Sequence, residues 1–242
     1  MAHTLNKAMI FAAGRGDRMR PLTDTCPKPL LAAGGKPLMV WQIERLASAG
    51  FDTIVINHAW LGEQIESALG DGSRWGVRLV YSAEGEALET AGGIAQALPL
   101  LEDAGAPQVF VGVAGDVYCD FDYARLREHA SRMASADEPG MHLVMVPNPA
   151  FHPAGDFVLA DGTVSLDGAP RYTFGSIALY DTRMFRDLPR GTRRALAPYY
   201  REAIGAGRVS GELYEGPWEN VGTPAQLKAL DETLRSRAGL PR

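Results

Sequence analysis

Short apolar runs alternate with amphipathic stretches along most of the chain. AMIFAA (8–13), TIVINHA (53–59), VRLVYS (77–82), QVFVGVAGD (108–116) and MHLVMVP (141–147) read as strands. Between them, PLMVWQIERLASAG (37–50), LGEQIESALG (61–70), ETAGGIAQALPLL (89–101) and DYARLREHASRM (122–133) read as helices, the last starting behind Asp122. Strand, helix, strand in this rhythm predicts an α/β, Rossmann-like fold: a mainly parallel, mixed sheet with helices on both faces. From about Asn148 to Tyr180 the pattern becomes turn-rich, with strand-like FVLADGTVSL and YTFGSIALY. TRRALAPYYREAIGAG (192–207) and TPAQLKALDETLRSR (223–237) then read as helices. No linker interrupts the chain, so residues 1–242 are expected to form a single domain. Trp41, Ile43 and Leu46 fall at helical spacing and are expected to face the core.

Composition narrows the choice. Hydrophobic residues make up 46% and charged residues 22%, ordinary globular usage that argues against disorder. The net charge of −5 argues against nucleic acid as a partner. Within this acidic chain, Arg15, Arg18, Arg20 and Lys28 cluster in one loop, which points to a small anionic ligand. Cys26 and Cys119 are too few for a disulfide framework and have no metal-ligand spacing around them. Nowhere do eighteen apolar residues run together, and MAHTLNKAMIFAAG lacks the long apolar segment of an export signal. A cytoplasmic protein, away from membranes, is expected, as a monomer or weak homo-oligomer.

The chemistry concentrates just after the first strand, in AAGRGDRMRPLTDTCPKPLL (12–31). Ligands of open parallel sheets sit outside the carboxyl ends of the strands. A glycine loop there can offer backbone N–H groups to phosphate oxygens, because glycine leaves room for close approach. Two better-known phosphate loops do not fit. A dinucleotide fingerprint needs a third glycine where Met19 stands, and a loop of the Walker type ending at Gly35-Lys36 needs glycine at Leu30 and Ser or Thr at Pro37.

The full string, Gly14-x-Gly16-x-Arg18-Met19-x-Pro21-Leu22-Thr23 followed by Pro27-Lys28-Pro29-Leu30, resembles the signature of the sugar-1-phosphate nucleotidyltransferases. The resemblance extends through residues 55–62, 70–76, 84–93 and 115–117, Val209-Ser210-Gly211-Glu212, and Trp218-Glu219-Asn220-Val221-Gly222-Thr223. It implies the nucleotide-diphospho-sugar transferase fold, UTP and a sugar 1-phosphate as substrates, and Mg²⁺ as cofactor. Residues 7–147 are then the nucleotide-binding half, and 148–242 the acceptor-sugar and lid half.

By the same resemblance, Ala13, Gly14, Arg15, Gly16, Asp17 and Arg18 surround the nucleotide. Arg18 and Lys28 meet the triphosphate, and Asp116 is the metal ligand at a strand end. Glu89, Thr90, Gly92 and Gly93 open a helix beside base and ribose, where small residues would admit the ring edge-on. Arg15 and Arg20 read equally as solvated, because neighbouring arginines cannot all face one ligand. Asp120 and Asp122 precede a helix and read as structural. The reaction needs no protein nucleophile: a phosphate monoester with a second pKa near ~6 is largely ionised at neutral pH and attacks the α-phosphorus itself. His58 therefore reads as a packing residue at a strand end.

Three positions depart from the family pattern. Asn220 stands where a second metal-binding Asp is expected, and an amide gives a hard cation oxygen geometry without charge neutralisation. Ala114 and Ala195 stand where an Asn and a Lys are expected, and Ala114, Asp156 and Asn220 are the candidate acceptor contacts. Asp156 reads equally as a turn-stabilising residue. If the acceptor carries a carboxylate, Arg171, Arg193 or Arg194 is available to meet it. Two alternatives stay open: a transferase for another hexose 1-phosphate, such as mannose or glucose, with a different nucleotide, and a nucleotide-sugar sensor of the same fold without turnover.

Overall fold

The computed structural model describes residues 5–239. Met1 to Thr4, part of the stretch expected to carry no export signal, lie outside the described residues.

The chain enters as β1 (Lys7–Phe11) and turns through short 3-10 segments at Asp17–Met19, Leu22–Asp24 and Lys28–Leu30. A small ribbon, β2 (Ala32–Ala33) and β3 (Lys36–Pro37), leads into α1 (Leu38–Ser48). Then follow β4 (Thr53–His58), α2 (Gly62–Leu69), β5 (Arg78–Ala83), α3 (Glu89–Leu101), β6 (Val109–Ala114) and the short β7 (Val117–Cys119). After α4 (Arg127–Ala134) come β8 (Met141–Val146), β9 (Phe157–Ala160), β10 (Thr163–Ser165) and β11 (Arg171–Asp181). The chain ends through α5 (Ala197–Gly205), β12 (Val209–Leu213), β13 (Trp218–Asn220) and α6 (Pro224–Ala238).

These strands form a nine-stranded mixed sheet in the order β5-β4-β1-β6-β11-β8-β12-β10-β9. β1 runs parallel to both β4 and β6, and β4 parallel to β5, whereas β11 is antiparallel to β6 and β8. The inner strands are near-continuous apolar runs because both faces are covered. Ala8 and Ile10 of β1 point into one core with Ile43, Leu46, Ile54, Val111 and Ala130, under α1, α2 and α4. Met9 points the other way, to Val55, Phe110, Ile94, Leu143 and Ala203, under α3 and α5. The period of two along one strand thus supplies both layers.

A third, smaller core fastens the opening loop: Met19, Leu31, Leu38, Tyr118, Val221, Leu230 and Leu234 pack together. Burying the Met19 side chain contributes roughly 1.5–3 kcal/mol, and it pins the loop between β7 and α6. The second half of the chain is not set apart in space, since β11 inserts between β6 and β8 and makes one continuous sheet. Two expected helices are shorter than their sequence patterns. Thr192 to Leu196 runs as irregular chain, because its backbone bonds the start of α3 and the residue before it: Arg194 N–H donates to Leu88 O (2.9 Å), and Gly92 N–H to Arg194 O (3.0 Å). The helix behind Asp122 begins as a 3-10 turn, Tyr123–Leu126, capped by the Asp122 carboxylate on Ala124 N–H.

Candidate active site

β1 ends where its neighbours hold the chain that follows. Ala12 N–H donates to Asn57 Oδ1 at the end of β4 (3.0 Å), and Asn57 Nδ2 donates to Glu84 Oε1 at the end of β5 (2.6 Å). Glu84 Oε2 accepts from Leu88 N–H (2.8 Å). Burial pushes the Glu84 carboxyl above its ordinary range, against these hydrogen bonds that favour its charged form. One polar chain thus fixes the ends of three strands and the entrance to α3.

From there the loop is open. The N–H groups of Ala13, Gly14, Arg15 and Gly16 donate to nothing among the described residues. A Cβ at Gly14 would meet no atom within 4 Å. Gly16 is left-handed (φ 73°), and a Cβ there would lie 3.1 Å from the Lys28 side chain and 3.3 Å from Thr23. Thr23 Oγ1 closes the turn by donating to Gly16 O (2.9 Å). Unspent donors, glycine clearance and an anchored turn make a concavity suited to anions.

Lys28 lies nine-tenths buried beneath the loop, and its ammonium is paired with the Asp116 carboxylate. Phe11, Ala12, Gly14, Gly16, Lys28, Pro29 and Asp116 line a cleft of about 130 Å³ there. Asp116 follows β6, and the ribbon of β7 with β13 sets Asn220 beside it. Asn220 pairs with Val117, and Val221 N–H donates to Asp116 O (3.1 Å). Arg18 is exposed over the same ribbon, its guanidinium 3.4 Å from where a Gly222 Cβ would sit, with no carboxylate partner among the described residues. Asp17 is exposed and lies 3.5 Å from Arg15. Gly14, Gly16, Lys28 and Asp116 therefore converge, with Arg18 and Asn220 at the rim.

Glu89 opens α3 in a left-handed conformation (φ 59°), strained for a residue with a side chain, and pairs with Arg193 (3.1 Å). Thr90 is half-buried beside it. The two glycines of this helix owe their size to packing within the chain. A Cβ at Gly92 would lie 2.4 Å from Thr192 O, and one at Gly93 would lie 2.5 Å from Glu84 Oε1.

Other candidates are occupied elsewhere. Arg15 stacks over Trp60 (4.4 Å), and Arg20 pairs with Asp24 (2.8 Å). Asp156 accepts from Phe174 N–H (2.8 Å) and lies 3.1 Å from His152 Nε2, so its carboxylate ties a turn to β11. Arg171 donates to Leu166 O and Asp156 O. Ala114 is half-buried at the end of β6, in register with Phe11. His58 is buried against Glu66 (2.7 Å), and Asp120 pairs with Arg45. Trp41 is half-buried, with Nε1 donating to Ala33 O (3.1 Å), while Ile43 and Leu46 are fully buried. The sequence gives Asn57 one signal, a polar residue near the end of an otherwise apolar buried strand, and gives Glu84 none.

A doubly covered sheet thus carries, at the end of its first strand, a glycine loop with free N–H groups beside a strand-end carboxylate. The family model described as Nucleotidyl transferase matches residues 7–150, and the chain belongs to this family. An N-acetylmuramate alpha-1-phosphate uridylyltransferase of Neisseria meningitidis is 50% identical over 226 residues, covering 92% of this chain and 95% of that protein. A Caulobacter vibrioides protein of the same name is 33% identical, covering 94% and 96%. Among solved structures, a Bacillus anthracis protein assigned as a glucose-1-phosphate thymidylyltransferase superposes with a TM-score of 0.80 at 20% identity over 95% of each chain, a likeness of fold.

Proposed function

We propose that this chain transfers the uridylyl group of UTP to N-acetylmuramic acid 1-phosphate, giving UDP-N-acetylmuramate and pyrophosphate. The observation that carries this reading is the half-identical uridylyltransferase of matching length. The loop geometry supports it.

The acceptor phosphate oxygen attacks the α-phosphorus of UTP, a new P–O bond forms, and the bond to the β-phosphate breaks. The protein's task is alignment and charge stabilisation. The free N–H groups of Ala13 to Gly16 receive phosphate oxygens, Lys28 exchanges Asp116 for the triphosphate, and Arg18 closes from the rim. Asp116 and Asn220 offer adjacent hard oxygen donors, a set that fits Mg²⁺. When bound, Mg²⁺ neutralises charge building on the departing pyrophosphate. The acceptor's lactyl carboxylate needs a cation. With Arg171 and Arg193 engaged, Arg194 beside Gly92 is the one of the three whose side chain makes no hydrogen bond or ion pair among the described residues.

No helix among the described residues is long and apolar enough to cross a membrane. We place the reaction in the cytoplasm, in salvage of muramic acid released from cell wall. Pyrophosphate release measured across nucleotides and sugar 1-phosphates tests the reading. It requires UTP with N-acetylmuramic acid 1-phosphate to outrank N-acetylglucosamine 1-phosphate, which lacks the lactyl group, and the mannose and glucose phosphates with any nucleotide. Preference for another pair overturns it.

A further inference from the structure

Three side chains distant in sequence converge three strands away from β1, on the face covered by α4. β12 runs parallel to β8, with Ser210 opposite His142 and Glu212 opposite Val144. His142 is fully buried, and its ring stacks on that of His129 from α4, with centroids 3.8 Å apart and planes at 27°. The ligand-type atoms of His129, His142 and Glu212 all lie within 4.8 Å of one another.

The hydrogen bonding leaves this cluster incomplete. His142 Nδ1 lies 2.8 Å from Ser210 Oγ. With Nδ1–H donating to that hydroxyl, Nε2 carries a bare lone pair. Among the described residues Nε2 has no hydrogen-bond partner, and neither has the buried Glu212 Oε1 facing it 3.6 Å away. Arg125 donates to the other Glu212 oxygen (2.6 Å), which holds the carboxylate in place. A proton alone closes this gap poorly, because 3.6 Å is beyond hydrogen-bond range. An ion does better: bonds of about 2.1 Å at tetrahedral angles set ligand atoms roughly 3.4 Å apart.

We infer that His129, His142 and Glu212 form a site for a divalent transition-metal ion of zinc's kind, clamping α4 to β8 and β12. Two imidazoles and one carboxylate suit zinc rather than magnesium, whose preferred donors are all oxygen. His129 is the half-buried, adjustable member: two stacked imidazoles cannot both aim an in-plane lone pair at one ion, so its ring turns off the stack on His142 when the ion binds. Arg132 contacts its Nδ1 (2.8 Å) and retains Glu128 (2.6 Å) when the ion takes its place. A water on the solvent side completes four-coordination. This site is separate from the oxygen donors Asp116 and Asn220.

The test is zinc titration of the tag-free, full-length protein by calorimetry, alongside His129→Ala, Glu212→Gln and Asp116→Asn. Unfolding midpoints are read with zinc and with chelator. The wild type and Asp116→Asn are expected to bind one equivalent and gain several degrees, reversed by chelator. His129→Ala and Glu212→Gln should lose at least tenfold in affinity. Cobalt should give the intense visible bands of a four-coordinate site. Because His129 is half-buried on a surface helix, its variant remains informative even if Glu212→Gln folds poorly. Binding undiminished in His129→Ala, binding abolished in Asp116→Asn, or no binding in the wild type would each overturn the assignment.

Discussion

Lys28 and Asp116 are paired across the floor of the glycine loop, so the cation and the carboxylate that the proposed function assigns to phosphate and to metal neutralise each other there. Lys28 is nine-tenths buried, and without Asp116 its charge would stand uncompensated until substrate arrived. The pairing holds both groups at one cleft. Lys28→Met removes the phosphate contact and leaves Asp116 unpaired. We expect kcat/KM for UTP, read by pyrophosphate release, to fall about 10²–10³-fold, the scale of losing one preorganised charge-stabilising donor.

The two loop glycines should separate by readout. Gly16→Ala forces a side chain into a left-handed position crowded by Lys28 and Thr23, and should cost stability by about 1–2 kcal/mol as well as activity. Gly14→Ala meets no protein atom, so its thermal midpoint should stay near wild type while KM for UTP rises. Comparing calorimetric midpoints with KM for both variants checks this; a destabilised Gly14→Ala with unchanged KM would sink the phosphate-approach reading.

Asn220 sits beside Asp116 but brings no charge. Asn220→Asp should lower the Mg²⁺ concentration for half-maximal turnover by roughly tenfold, about 1.4 kcal/mol of added attraction. An unchanged Mg²⁺ dependence would remove Asn220 from the metal site.

Glu84 gives a pH signature. Its carboxyl is raised in the folded state by burial, so between the unfolded value near ~4.3 and the raised folded value the native protein holds a proton that the unfolded chain releases. Glu84 therefore contributes a fall in stability as pH rises through that window, and none of that slope below it. In Glu84→Gln this component should vanish, although Asn57 Nδ2 or Leu88 N–H then loses a carboxylate oxygen. Denaturant midpoints from pH 4 to 7 for both proteins measure the difference; identical slopes would show that Glu84 does not titrate as described.

The repeating layers are legible because buried strands such as Ile54 to Ile56 are short continuous apolar runs, set between longer helical stretches such as Glu89–Leu101. The loop after β1 was legible because its glycines, Arg18 and Lys28 fall within a single short string. What escaped depends on tertiary approach. Thr192 O presses on Gly92, and the Asp156 carboxylate accepts from Phe174 N–H of β11, contacts that no local pattern reveals. Thr192 to Leu196 has a helical composition, but its backbone bonds go to the start of α3 and the residue before it. His129, His142 and Glu212 meet only because β12 lies beside β8 beneath α4.

The central claim is that the glycine mouth, Lys28 and Asp116 together grip the triphosphate of UTP. A crystal structure of the protein with UTP and Mg²⁺ tests it most directly. Phosphate oxygens are expected on the Ala13 to Gly16 N–H groups, with Lys28 turned onto the triphosphate and Asp116 on the metal. Nucleotide bound elsewhere, with the Lys28–Asp116 pair still closed, would contradict it.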